Sequence, residues 1–317
     1  MAFVGVQWQL IVYLFVYSIE YYSIFTPFTS RPNTAIATMR IITLADNKTQ
    51  SNELKTEHGL SLYIETDDNQ KILYDTGQSN LFIQNAKKLG VDLNRIDKVV
   101  ISHGHYDHIG GLIDFLQINS TAKVYINATL FNYKYFSLKN GVKKLNGFSP
   151  KLLAYRNRFV LLDKNTHIDN LGMITTINKP YNMPKGNAIL YRQKDGVEEL
   201  DKFDHELILA INTTKGLCVF TGCAHNGILN IANTIQTTLP HNEIYCMYGG
   251  FHLIDGKEYV EVETAQELTQ IAHELTKLLP KTQFYTGHCT GEKAINTLSQ
   301  TMKEQLKPFY VGMEITM

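Results

Sequence analysis

From Met39 onward, short apolar runs alternate with polar turns, and the spacing inside each run separates strands from helices. RIITLAD, LSLYIET, KILYDTG, KVVISH and KVYINA are brief, apolar and rich in β-formers, which predicts strands. Leu81 to Leu89 and Leu112 to Leu116 read as helices. ELILAIN and GLCVFTGC predict a hairpin around the turn TTKG, followed by a strand at IYCMYGG. From Glu263 to Leu279 a helix is expected, because Leu268, Ile271, Leu275 and Leu278 recur at helical spacing and give it one core-facing stripe. QFYTGH reads as a further strand. Residues 130–200 are a mixed stretch broken by GFSP, KPYNMP and KDG turns, too rich in loops to assign closely. Strands alternating with helices imply an α/β chain. No internal repeat stands out.

Residues 1–38 differ in kind. LIVYLFVYSIEYYSIF is aromatic and apolar with a single acid, Glu20, and the only tryptophan, Trp8, lies just before it. No Lys or Arg precedes the apolar run, so it makes a poor secretory signal. Three readings stay open. The uncharged run from Ala2 to Ile19 is close to the ~20 residues of a membrane span, with Arg31 and Arg40 on the cytoplasmic side. It could instead be an arm packed on the domain or on a partner. The preferred reading starts the working protein at Met39, where MRIITLADNK begins, and leaves residues 39–317 as one domain.

At 317 residues, 44% hydrophobic and 19% charged, the chain can bury a substantial core. Its formal net charge is zero, so nucleic acid is disfavoured as a partner. The four cysteines, Cys218, Cys223, Cys246 and Cys289, form no spaced framework. They fit a reducing, cytoplasmic setting, with membrane anchoring through residues 1–38 as the alternative. The oligomeric state stays open.

The run ISHGHYDHIGG places His103, His105, Asp107 and His108 within six positions, and Asp75 lies upstream in LYDTG. So many buried hydrogen-bonding groups need a partner, and a divalent cation takes neutral imidazole and carboxylate as ligands. His103 and His105, two apart at the end of KVVISH, would hold one ion. Asp107 and His108 begin the next element, which IGGLIDFL continues as a helix, and would hold a second ion ~3.5–4 Å away. Later strands end in the same kind of polar knot. VFTGCAH, YCMYGGFH and FYTGH deliver His225, His252 and His288, and ligands on several strand ends can converge on one crevice.

H-x-H-x-D-H after an apolar strand resembles the signature of the metallo-β-lactamase superfamily. Asp75 in KILYDTG looks like the aspartate that closes the preceding strand there. GLCVFTGCAHNGI, YGGFHL, YTGHCTG, LADN (Leu44 to Asn47), EHGLS (Glu57 to Ser61) and KPYNMPKGN are similar to a subgroup of metal-dependent hydrolases that includes archaeal dihydropterin-methyl-ribofuranosylaminobenzene phosphate synthases. The resemblance implies a four-layer αβ/βα sandwich of two mixed sheets and a small-molecule substrate. The loop-rich residues 130–200 are expected, from their own sequence, to cover the mouth of the site. It implies that His225 completes the first metal site and His288 the second. Two features depart from the better-known members. The third histidine of a G-H-T run is missing; His205 could stand there, but His225 has the better local sequence. The aspartate that often bridges both metals is also missing, and Cys223 falls at its place, either as a thiolate ligand or as a small residue in a tight turn. Without a bridging carboxylate, a mononuclear site remains open.

The chemistry that follows is hydrolysis by a metal-activated water, whose pKa falls from about 15.7 toward ~7. Zinc is the expected ion because the ligands are mostly imidazole, with Mn2+ or Fe2+ as alternatives. Asp107 would orient the nucleophile and move its proton. The alternative is a synthase-like transferase that joins a reduced pterin and a phosphorylated ribosyl compound. In that reading His58, Lys185 and His252 are candidates for substrate contact. For Lys185 the preferred reading is a solvated turn lysine, and His252 reads as either a proton-transferring or a structural histidine. A non-catalytic metal-binding module is disfavoured because the quartet is intact. A two-iron oxidoreductase is disfavoured because that branch generally has glutamate where His105 stands.

Overall fold

In a computed structural model, which describes residues 38–256 and 259–317, the apolar runs become strands close to where their spacing puts them. The first sheet is built from β1 (Arg40–Ala45), β2 (Ser61–Glu65), β3 (Lys71–Tyr74), β4 (Lys98–Val100) and β5 (Lys123–Asn127). Helices α1 (Leu81–Lys88), α2 (Tyr106–Ile109) and α3 (Leu112–Ile118) lie in its crossovers. Next come β6 (Lys134–Lys139), β7 (Val142–Leu145), β8 (Phe159–Leu162), β9 (Thr166–Ile168), β10 (Leu171–Ile174), β11 (Leu190–Lys194) and β12 (Val197–Leu200). The last part holds β13 (Ile208–Thr213), β14 (Gly216–Phe220), α4 (Ile228–Thr238), β15 (Ile244–Tyr248), α5 (Ala265–Leu278), β16 (Gln283–Thr286), α6 (Glu292–Met302), β17 (Leu306–Pro308) and β18 (Glu314–Thr316).

Two seven-stranded sheets result, in the orders β18-β1-β2-β3-β4-β5-β8 and β17-β16-β15-β14-β13-β10-β9. Each runs antiparallel through three pairings and parallel through the other three. The two halves are thus copies of one topology, a duplication that no residue pattern reveals. Ile41, Leu62, Ile72 and Val100 meet Leu209, Ile211, Cys218 and Phe220 in the core between the sheets. Buried polar links cross this core: Tyr248 Oη to Thr43 Oγ1 at 2.7 Å, and Tyr74 Oη donating to the Phe220 carbonyl at 3.1 Å. Helices α1 and α3 cover the outer face of the first sheet, and α4, α5 and α6 that of the second. This is the expected four-layer αβ/βα sandwich.

The predicted hairpin is β13–β14. On α5, Leu268 and Leu275 are buried, and Ile271 and Leu278 pack against the same core. Thr264 caps this helix in a reciprocal pairing with Glu267. Two helices escape the sequence pattern. Helix α4 (ILNIANTIQTT) is rich in β-branched residues that disfavour helix and is held by burial of Ile228, Ile231, Ala232 and Ile235. Helix α6, EKAINTLSQTM, buries only Ala294, Leu298 and Met302. The loop-rich stretch also contains a separate four-stranded sheet, β12-β11-β6-β7. All of β7 is exposed, so no buried face imposes an apolar alternation on it. Residues 1–37, on which the anchor, arm and upstream-start readings fall, lie outside the described residues. Among the described residues, no helix is long and apolar enough to cross a membrane.

Candidate metal centre

The carboxyl ends of the parallel strands β3, β4, β14, β15 and β16 carry the candidate residues. After β4 the chain stays extended to His103. His105 is the N-cap of α2, which turns Asp107 and His108 back toward the strand end. Gly110 and Gly111 separate α2 from α3, so IGGLIDFL is two helices and not one. A Cβ at Gly110 would overlap the Gln78 carbonyl, and one at Gly111 the carbonyls of Thr76 and Ser79. The glycine pair therefore lets the loop after Asp75 press against α2. Asp75, at φ 58°, then accepts from Ser102 N–H at 2.7 Å and Ser102 Oγ at 2.6 Å, and meets His108 Nδ1 at 2.7 Å. With Nδ1 engaged, His108 turns Nε2 into the crevice, 3.1 Å from Cys223 Sγ and 3.0 Å from His288 Nε2. Asp75 thereby positions His108.

The second sheet delivers its donors singly. A Cβ at Gly222 would overlap Ser102 Oγ and press on His103 Nδ1, so only glycine brings the end of β14 this close to β4. Cys223 and His225 follow. The Glu206 carboxylate accepts His225 N–H at 2.6 Å, and Asn187 Oδ1 meets His225 Nδ1 at 2.9 Å. The Asp46 carboxylate accepts His288 N–H at 2.8 Å, and Asn47 Oδ1 lies 3.3 Å from His288 Nδ1. Ala224, His252 and His288 have φ of 54°, 50° and 50°. Such backbone costs about 1–3 kcal/mol per residue and tends to collect at functional sites.

Among the described residues, four donor clusters result; Cys223, His252 and Cys289 form one and His105, Asp201 and His205 another, and the other two hold most of the expected ligands. Ligand atoms of His103, Cys223 and His225 lie within 4.8 Å of one another, and so do those of Asp107, His108, Cys223 and His288. His105 Nδ1 approaches His103 Nε2 to 3.1 Å. Cys223 is common to the latter two clusters, at the place expected for a bridging residue.

Electrostatics distinguish the clusters. Burial lowers His103 and His225 well below the ordinary histidine value and takes His105 to about 3, which keeps all three neutral, the form that binds metal. Burial also opposes charge on His288, but Asp107 at 3.4 Å outweighs it and lifts His288 to about 9. Burial would raise Asp107, yet His108, His288 and His58 hold it well below the usual carboxylate range. Burial pushes the Cys223 thiol up, so a thiolate there requires a cation beside it. The buried His225 Nε2 has no hydrogen-bond partner. Neutral imidazoles, a carboxylate, a thiol and an unpartnered ring nitrogen form a donor set that fits zinc or a similar ion.

A cavity of about 480 Å³ opens beside the clusters and is lined by His58, Asp107, His252 and His288. His58 lies 3.2 Å from Asp107 Oδ2 and stacks on His288 with ring centroids 5.0 Å apart. Neither ring nitrogen of His252 has a hydrogen-bond partner, and its ring lies 4.1 Å from that of His225. Lys185 is elsewhere. Its ammonium sits between Glu261 and Glu267, 2.8 and 2.9 Å away, on a different cavity walled by Met183, Leu229 and Phe251. Two glutamates thus hold it on that cavity and not on the crevice lined by His58 and His252, as suits a turn lysine. His205 stands behind the cluster, 3.1 Å from Asp201, whose carboxylate is 4.0 Å from His105 Nε2. The supporting residues Asp46, Asn47, Asn187, Asp201 and Glu206 were not singled out from sequence. A signal existed for Asp46 and Asn47, in LADN, and for Asn187, at the end of KPYNMPKGN, but none for Asp201 or Glu206.

A two-sheet sandwich with donors converging from both halves defines the class: the chain belongs to the metallo-β-lactamase superfamily. That superfamily's sequence pattern matches residues 55–197. The chain is 30% identical over 293 residues to the 7,8-dihydropterin-6-methyl-4-(beta-D-ribofuranosyl)-aminobenzene-5'-phosphate synthase of Methanocaldococcus jannaschii, a match covering 86% of this chain and 95% of the synthase. A crystallised metal-dependent hydrolase of the beta-lactamase superfamily is 29% identical with a TM-score of 0.73, covering 87% of this chain and 98% of that one. The metallo-beta-lactamase fold protein YhfI of Bacillus subtilis shares the fold at 11% identity and a TM-score of 0.52, over 89% of this chain and 100% of that one.

Proposed function

We propose that this chain is a metal-dependent enzyme acting on a small molecule. His103, His105 and His225 would hold one ion, Asp107, His108 and His288 a second, and Cys223 would lie between them. The observation that carries this reading is the convergence of donors from both halves on one cavity, with the imidazoles of the first cluster kept neutral by burial. Zinc suits this donor set best. A bound ion would supply a water acidified to ~7 and take up charge on a substrate oxygen. Asp107, ionised and in contact with exposed His58, is placed to accept a proton from the nucleophile and pass it to the cavity mouth. His252, which lines the same cavity beside Cys289 and His225, is our candidate to give a proton to a leaving group.

Hydrolysis is the primary reading. A condensation joining a pterin to a phosphorylated ribosyl compound is the second, favoured by the 30% identity to the synthase over nearly its whole length. Purified protein loaded with zinc, manganese or iron should be assayed on phosphodiester, lactone and β-lactam substrates, and on a reduced pterin with a ribosylaminobenzene phosphate. Turnover lost in His103→Ala supports the matching reading. A wild-type enzyme fully active after exhaustive chelation would sink both.

A further inference from the structure

The small sheet that covers the cavity turns two lysines inward. In the β6–β7 ladder Ser137 is paired with Lys144, and on the other side of β6 it is paired with Leu190 of β11. Residues two apart or directly opposite share a face. Ser137, Lys139, Lys144 and Leu190 therefore look the same way, and all four line the 480 Å³ cavity that holds His58 and Asp107. Lys143, one position over, faces outward, where it is ion-paired with Glu198 above the Phe136 ring.

Among the described residues, neither inward lysine has a carboxylate partner. Lys139 Nζ lies 5.8 Å from the Tyr259 ring centroid and Lys144 Nζ 6.0 Å from that of Tyr106. The acids sharing the cavity are engaged elsewhere. Asp255 accepts the backbone N–H groups of Glu292 and Lys293 at 3.0 and 3.1 Å, and Asp107 contacts His58 and His288. Among the described residues, two ammonium groups beside a cavity that gathers metal ligands thus have no ion-pair partner. They match a group carrying close to two negative charges, as a phosphate monoester does, and lysine binds phosphate as a point charge.

We infer that Lys139 and Lys144 form an anion subsite, and that the substrate is a phosphate monoester whose phosphate docks on the small sheet while its reacting end lies against the ligand clusters. The inference rests on the small-molecule reading above and holds for either reaction. It places substrate selection on the small sheet and chemistry on the two large ones.

The test is calorimetric titration of full-length, zinc-loaded protein with ribose 5-phosphate and with ribose, repeated on metal-stripped protein. Wild type should bind ribose 5-phosphate and discriminate against ribose. The double variant Lys139→Ala/Lys144→Ala should weaken that binding by about tenfold or more, as expected for losing charged hydrogen bonds. Lys139→Arg/Lys144→Arg should retain most of it, and Lys143→Ala should match wild type, which separates charge in the cavity from charge on the sheet. Equal binding by wild type and the double alanine variant overturns the inference. So does binding that vanishes on metal removal and ignores the lysines, since the ions alone would then hold the phosphate, and so does no preference for ribose 5-phosphate over ribose. Lysine-dependent binding in a protein that turns over nothing would overturn the enzymatic reading and leave the subsite standing.

Discussion

The two halves of the sandwich repeat one topology and supply the crevice in opposite ways. The first concentrates its donors: His103, His105, Asp107 and His108 lie on one strand end and one helical turn, with Asp75 from the neighbouring strand bracing His108. The second disperses them: Cys223 and His225 follow β14, His252 follows β15 and His288 follows β16, with His225 and His288 braced from different parts of the chain. Both use the carboxyl ends of parallel strands, where loops leave the sheet and backbone groups are free to turn. A local turn can place several ligands at once, whereas dispersed ligands depend on strand order.

The sharpest way to break this comparison is to remove one imidazole from each half. His103→Ala and His225→Ala should each strip the first ion and take turnover to background, and the double variant should be no worse than either. Elemental analysis with activity measurement checks this; an ion retained in His225→Ala would mean that the second half does not contribute to that cluster. A smaller effect is expected from the braces. Asp75→Asn should weaken binding of the second ion by roughly 10–100-fold, a range typical of outer partners of metal-bound histidine. Asn187→Ala should weaken the first ion by less, because a neutral amide braces His225 where a carboxylate braces His108. Competition with a chromophoric chelator reads both.

The seam between the halves gives the next effect. Gly222→Ala forces a methyl group onto Ser102 and His103 and should cost about 1–3 kcal/mol as overpacking. Urea unfolding of metal-free protein isolates this cost from lost metal binding; an unchanged midpoint would mean the two strand ends can move apart freely. The smallest effect lies far from the crevice, on α5. The Thr264 N–H, then Lys185 and the Thr264 hydroxyl, hold Glu267 down at about 2. A depressed carboxylate stabilises the fold above its unfolded value near 4.5 and loses that contribution as pH falls toward 2. Glu267→Gln should therefore flatten a slight acid-side slope in unfolding midpoint across that window and leave metal content unchanged. A metal loss in this variant would show that the second half transmits helix damage to its strand ends.

Legibility from sequence follows the same division. The quartet could be read because its spacing is local: two residues along an extended strand end and one helical turn bring four donors together wherever the chain sits. The α/β alternation and the α5 stripe were readable for a similar reason, since burial on one face imposes a period on neighbouring residues. The small sheet was not, because β7 is exposed throughout and carries no such period. Helix α4 was not, because tertiary burial overrides the poor helix propensity of its β-branched residues. The partners of Lys185 were not legible either, because it pairs with Glu261 and Glu267, which lie more than seventy residues on.

The sequence by itself determined the superfamily pattern, the first donor run and the apolar segments that became β1 to β5 and β13 to β16, but not the outer strands β8, β9, β10, β17 and β18 that complete the two large sheets. Only the tertiary structure decided which lysines face the crevice, which carboxylates brace which histidines, and that Cys223 stands between the two clusters. Those relations join residues far apart in the chain, through strand register, close glycine contacts and left-handed backbone at Asp75, His252 and His288. None of these leaves a periodic trace in the residues nearby, because each is set by what packs against the position and not by what precedes it.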